Sequence, residues 1–285
     1  MNLTEFITSN EISVRLAFFF GVLGVIALWE IATPRRELSV SKSIRWMNNL
    51  GIVALNIVLL RLIFPAAAVG MATLAETQGW GILNYLQTPY WFAAIGSVII
   101  MDAAIYIQHV LVHAIPVLWR LHRVHHADLD FDVTTGSRFH PIEIILSMLI
   151  KFATILVLGP PIIAVVIFEV LLNATSMFNH GNVRIPKSVD RLLRWFIVTP
   201  DMHRVHHSVE DDETNSNFGF SLPWWDRLFG TYRDQPRAGH EQMTIGINTF
   251  RDRRHCTWLP GMLALPFIGK IKNYTINRRN WGTPP

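Results

Sequence analysis

Charge is scarce in this sequence. Only 16% of its 285 residues are Asp, Glu, Lys or Arg, against about a quarter in an ordinary soluble domain. With 51% hydrophobic residues and a mean hydropathy of +0.29, the deficit points to a membrane protein. Cysteine is rarer still. Cys256 is the single one, which excludes an internal disulfide framework and a thiolate metal cluster. A lone cysteine reads as an inert packed residue. The chain has no Gly-x-Gly-x-x-Gly fingerprint and no His-Glu-x-x-His string, so it encodes neither a dinucleotide site nor the usual zinc-protease pair. It lacks solenoid repeats, low-complexity tracts and any basic-aromatic pattern of the nucleic-acid-binding kind, and no nucleic acid is expected as a partner. The excess of 25 Lys+Arg over 21 Asp+Glu is of the size that orients a membrane chain.

Long apolar runs are present. The first, Val14 to Ala32, has about the 20 residues a bilayer crossing requires. Its start is acidic (Glu5, Glu11) and no small-residue cleavage site follows, so it reads as a retained helix. Pro34, Arg35, Arg36, Lys42 and Arg45 then form a basic loop. A second run covers Leu50 to Thr73, with Arg61 inside it. A third starts at Trp91 and continues into the first histidines. Ile142 to Phe178 is broken by Gly159-Pro160-Pro161, which a helix cannot traverse, so its halves read as a helical hairpin. Lys151 inside the hairpin must snorkel or pair. Trp258 to Ile271 reads as an interfacial or packing segment. The expected fold is all-α: about three N-terminal spanning helices, the hairpin, and a cytoplasmic helical cap. The chain divides into residues 1–90 (N-terminal spanning helices), 91–235 (the histidine-bearing region) and 236–285 (a cytoplasmic or interfacial tail). Four Lys/Arg follow the first helix and the stretch Leu74 to Tyr90 has none, so the positive-inside rule puts the former, and with it every histidine group, on the cytoplasmic side.

Histidine is the residue in excess, with 12 copies. His109 and His113 share a helix face, and Asp102 and Tyr106 extend the same stripe. His122, His125 and His126 form a second group and His203, His206 and His207 a third. The string His-Arg-Val-His-His occurs in both. His140 and His180 stand nearby as singles; His240 and His255 read as ordinary residues. Packing does not call for eight imidazoles at helical spacing in three groups, whereas metal binding does, since neutral imidazole is a common metal ligand. So many nitrogens exceed one zinc site and suit two metals; nitrogen ligation alone leaves Fe, Zn, Cu and Ni open. A zinc-dependent membrane hydrolase and a metal transporter or sensor are the competing readings.

At these residues the chain resembles the fatty acid hydroxylase superfamily, which includes sterol desaturases and alkylglycerol monooxygenase. The resemblance covers about residues 95–235. It rests on His109-x3-His113, His122-x2-His125-His126 and His203-x2-His206-His207, with Leu118-Trp119, Arg138-Phe139-His140-Pro141, Asn215-Ser216-Asn217-Phe218-Gly219 and Trp225-Asp226-Arg227. It implies two iron ions (zinc being the alternative occupant), with O2 as co-substrate and hydroxylation or desaturation of a membrane lipid as the reaction. Electrons would come from a separate ferredoxin, or a cytochrome with its reductase, docking at Arg184, Lys187, Arg191 and Arg194. Where some members carry a pair of histidines in the third region, this chain has only His180. That makes His180 and His140 candidate ligands beside the eight.

Overall fold

A computed structural model describes residues 3–269; the last part of the tail expected at 236–285 lies outside the described residues. The fold is all-helical, with three isolated β-bridges among the described residues. A short helix α1 (Leu3–Ser9) leads into α2 (Glu11–Ala32), whose largely apolar sequence, free of proline, carries it for 22 residues. Next comes α3 (Lys42–Ile63). The second apolar run does not continue as one helix. Pro65 lacks the N–H that an uninterrupted ladder needs, and α4 (Ala67–Gln78) starts anew after a turn in which Ala67 has φ 50°. A single turn, α5 (Ile82–Tyr85), precedes α6 (Tyr90–Ala114).

Pro116 occupies the first turn of α7 (Pro116–His126), where a missing N–H costs nothing. The hairpin forms as expected, from α8 (Pro141–Leu158) and α9 (Ile162–Asn179). Its turn needs glycine: Gly159 has φ 67°, and a Cβ there would stand 2.4 Å from the Trp80 carbonyl oxygen. Beyond it lie α10 (Lys187–Leu193), α11 (Pro200–His206), α12 (Asp211–Thr214) and α13 (Trp224–Leu228). Five stretches are long and apolar enough to cross a bilayer: Glu11–Ala32, Lys42–Tyr85, Tyr90–Ala114, Pro141–Leu158 and Ile162–Asn179.

α9 is the central post, packed by α2, α4 and α6. Ala68, Ala72 and Ala75 give α4 a small-residue face that closes on Ile155, Leu158, Val165 and Phe168 of the hairpin. Phe18, Phe20, Val25, Leu28 and Ile31 of α2 remain exposed, as a lipid-facing surface requires. The segment from Leu259 to Phe267 packs on α7.

One expectation about the loops fails. Arg45 belongs to α3, not to a basic loop, and is fully buried. With Asn48, Asn49 and Asn56 it forms a polar stripe on an otherwise apolar helix. Arg45 grips Asp128 (2.7 and 2.9 Å) and Asp132, while Asn49 donates to Thr134 (3.0 Å). The stripe thus ties α3 to the chain that follows the second histidine group. Burial disfavours the ionised Asp128 carboxyl, but the Arg45 and Arg138 guanidiniums outweigh it and hold the group well below the usual carboxylate range.

Candidate metal centre

The three histidine groups and His180 converge on one buried space. α6 supplies His109 and His113 from its last turns, and α7 turns back on α6 to bring His122, His125 and His126 beside them. α11 enters from the other side, with Pro200 in its first turn and the Thr199 hydroxyl accepting from the Met202 amide. His180 caps the C-terminal end of α9. The ligand atoms fall into two sets: His109, His113, His122, His126 and His206 in one, and His125, His180, His203 and His207 in the other, each within 4.8 Å of one another. The sets adjoin, with the His126 and His207 rings stacked at 4.4 Å.

Hydrogen bonding fixes how several imidazoles face. His109 Nδ1 donates to the Phe218 carbonyl (2.6 Å), His206 Nδ1 to the Ser216 carbonyl (2.7 Å) and His180 Nδ1 to the Ser176 carbonyl (2.7 Å). His122 Nδ1 donates to Glu143 Oε1 (2.6 Å). A carbonyl or carboxylate accepts only, so in the neutral rings the proton sits on Nδ1 and Nε2 is a bare lone pair. Yet His109 Nε2 lies 3.1 Å from His122 Nε2 and 3.0 Å from His206 Nε2. Facing lone pairs at that distance repel unless a cation lies among them. Two nitrogens bound to one metal at about 2.0–2.1 Å stand roughly 2.9–3.4 Å apart. The spacing therefore fits imidazoles sharing a metal.

Burial first and neighbouring imidazoles second push His125, His126, His203 and His207 well below the ordinary histidine range, which keeps these four rings neutral. Burial likewise pushes His180 down to about 3. Both ring nitrogens of His203 are buried without a hydrogen-bond partner, so one of them is free to hold a metal.

Nine of the ten candidate ligands are gathered here. His140 is the exception. Its Nδ1 accepts from the Ile142 amide (3.2 Å) as the N-cap of α8, and its Nε2 faces the Leu263 carbonyl (3.3 Å). Both nitrogens are committed to holding chain ends together, and His140 belongs to neither set.

Polar residues around the centre hold its elements together. Asp102 accepts from the Trp225 indole (2.8 Å), and Tyr106 bonds the Thr231 hydroxyl (2.9 Å), tying α6 to the segment after α11. Asp226 accepts from the Phe218 and Gly219 amides (2.8 Å each), so it aims the Phe218 carbonyl at His109. Sequence reasoning missed that Ser216 and Phe218 act through backbone carbonyls, for which side-chain identity carries little signal. Gly136 was missed too: a Cβ there would stand 2.4 Å from the Ser176 oxygen and 3.1 Å from His180 Nδ1. Arg123 donates to the Leu265 and Ile268 carbonyls and Arg204 pairs with Asp201. In the expected donor-docking patch, Arg194 is buried against Asp190 (2.6 Å) and Asp234 (2.9 Å) and leaves the surface. Burial raises the Cys256 thiol to about 11, in keeping with an unreactive residue.

A cavity of about 370 Å³ reaches this centre along His109, His122, Phe139, Glu143 and Phe220. An apolar-walled passage between candidate membrane-spanning helices thus ends at two buried imidazole sets that could hold metal ions. A family profile described as fatty acid hydroxylase matches residues 94–231. The chain is 28% identical to the ornithine lipid hydroxylase OlsE of Rhizobium tropici, over 68% of this chain and 56% of that protein. It is 25% identical to the alkylglycerol monooxygenase of Xenopus tropicalis, over 60% of this chain and 38% of that protein. It is 30% identical to the fatty acid hydroxylase vlmA of Lecanicillium sp, over 54% and 46%. The matches span only about a third to a half of these relatives' lengths. No solved structure matches. The profile match over residues 94–231 and these relatives support placing the histidine-bearing region in the fatty acid hydroxylase superfamily.

Proposed function

We propose that this protein is an integral membrane oxygenase that binds two iron ions through its two imidazole sets and uses O2 to hydroxylate or desaturate a lipid. The observation that carries the reading is the facing of three bare Nε2 lone pairs, on His109, His122 and His206, at 3.0–3.1 Å. His109, His113, His122, His126 and His206 would hold one ion, and His125, His180, His203 and His207 the other. A bound iron pair supplies an oxidant for unactivated C–H bonds, which no side chain provides. The chain's own residues do the positioning. Glu143 and the Phe218 and Ser216 carbonyls keep protons on Nδ1 and lone pairs inward. Phe139, stacked on His125 at 4.4 Å, and Phe220 present an apolar wall where an alkyl chain would lie. Relatives named as hydroxylases and monooxygenases of lipids support the reaction class.

Arg35, Arg36 and Lys42 still follow α2, and the positive-inside rule counts cations regardless of acidic partners; we therefore assign the site to the cytoplasmic side. Electrons would come from a separate ferredoxin, or a cytochrome with its reductase, meeting the exposed Lys187 and Arg191. The test is purification with metal analysis. Two irons per chain, reducible and consuming O2, with one oxygen gained or two hydrogens lost in a membrane lipid, is the expected result. Tight zinc without oxygen consumption under any donor would overturn it in favour of a hydrolase.

A further inference from the structure

The same cavity has a second end, far from the histidines, where five charged residues from four helices meet inside the apolar region. Glu169, on α9, is 3% exposed at its side chain and bonded to Lys151 of α8 (2.9 Å) and Arg15 of α2 (3.1 Å). Arg15 also pairs with Glu11 (3.1 Å). Arg61 of α3 lines the cavity beside them, exposed and without an ion pair among the described residues. Charged groups within candidate spans are costly, and when they line a passage they mark where a ligand is handled. The cations outnumber the carboxylates by one: Arg15, Arg61 and Lys151 face Glu11 and Glu169, and Arg61 lies near Glu169 without an ion pair of its own.

We infer that this end of the cavity binds the anionic group of a single-chain amphiphile, a carboxylate or a phosphate, while its alkyl chain runs to the imidazole centre. The inference rests on the lipid-oxidation reading and narrows its substrate. Between the two ends the wall is mostly apolar, with Phe19, Leu60, Phe64, Met148 and Leu172 beside the polar Asn56, Gln108 and Asn173, which suits a hydrocarbon chain. The helices give a ruler. Lys151 lies eight residues beyond Glu143 on α8, and Glu169 lies eleven before His180 at the end of α9. At about 1.5 Å of rise per residue the anion site is roughly 12–16 Å from the imidazoles. With C–C bonds of about 1.5 Å, an extended chain advances roughly 1.3 Å per carbon, so the reacting carbon lies about nine to twelve carbons from the anionic group.

Binding to metal-free full-length protein in phosphatidylcholine nanodiscs tests this without touching the oxidation chemistry. The probes are tetradecanoate, tetradecyl phosphate and tetradecanol, of equal chain length. At least one anion should bind about tenfold more tightly than the alcohol, a difference of about 1.4 kcal/mol. A carboxylate preference points to a free fatty acid, and a phosphate preference to a lipid headgroup. Arg61→Gln should erase most of the preference and leave tetradecanol unchanged. Glu169→Gln, which removes a competing negative charge, should tighten anion binding several-fold. Equal binding of alcohol and anions, or an anion preference that neither variant moves, would overturn the assignment. Metal binding and oxygen consumption would be untouched by that failure, so the two readings fall separately.

Discussion

The pentapeptide His-Arg-Val-His-His occurs twice, on α7 and on α11, and the two copies divide their ligands in opposite ways. From α7, His122 and His126 join the first set and His125 the second; from α11, His206 joins the first and His203 and His207 the second. Both copies use one helix face, but they approach the centre from different sides, so equivalent positions meet different partners. Their supports differ as well. The α7 copy is held by side chains: Glu143 on His122, and the Arg45–Asp128–Asp132 network behind the following loop. The α11 copy is held by backbone: the Ser216 carbonyl on His206, with Asn217 donating to the Met202 carbonyl (2.9 Å). Even the shared arginines differ, Arg123 clamping the Leu265–Ile268 turn and Arg204 pairing with Asp201 beneath Phe131. An identical motif thus fixes ligand spacing and leaves its surroundings free to specialise.

The comparison breaks most completely at the ligands. His126→Ala should strip the first set and His207→Ala the second. Each should halve metal content by elemental analysis, and activity should fall beyond the roughly 10–100-fold typical of outer-shell partners. Retention of two metals in either variant would show that the sets are assigned wrongly. Next in size is Arg45→Met. It leaves Asp132 buried without its cation and Asp128 with Arg138 alone, a change costing about 3–5 kcal/mol. Thermal unfolding in detergent should show the loss. The α7 copy should be the one exposed, read as faster proteolysis near Asp128 than near Ser208.

Acid should act on both copies. The imidazoles of His126, His206 and His207 are held below the unfolded value of about 6.5. The unfolded chain therefore binds more protons, and stability of the metal-free protein is full above about pH 6.5 and lost progressively below it. A flat thermal-unfolding profile from pH 7.5 to 5 would contradict neutral buried imidazoles.

Smaller and one-sided is Glu143→Gln, which keeps an acceptor but removes the charge behind His122. Metal affinity of the first set should drop about 10–100-fold while the second holds, as seen by stepwise chelation. Smallest is Arg191→Ala. This exposed change should leave stability within about 0.5 kcal/mol and metal content intact, and it lowers oxygen consumption only where a protein donor supplies the electrons.

Much of the centre was legible because helical periodicity and apolar runs are local properties. The hairpin announced itself through Gly159-Pro160-Pro161, and eight histidines through their spacing. His140 became a candidate because some members of the resembled family carry a second histidine in the third region, but its two nitrogens meet the Ile142 amide and the Leu263 carbonyl instead. Arg45 looked like loop charge because nothing local distinguishes a helix's buried first turn from the loop before it. The polar spacing of Arg45, Asn49 and Asn56 on an apolar helix was the available clue.

The sequence by itself determined that the chain is helical, rich in spans, and equipped with imidazoles at metal-binding spacing, since each follows from residues within a few turns of one another. Tertiary structure alone decided that nine imidazoles divide five and four, that backbone carbonyls at Ser216 and Phe218 orient two of them, and that a charged cluster shares their cavity. Those facts depend on contacts between residues far apart in the chain, 109 positions between His109 and Phe218 and 154 between Arg15 and Glu169. Which distant groups meet is set by how the helices pack, not by any local pattern.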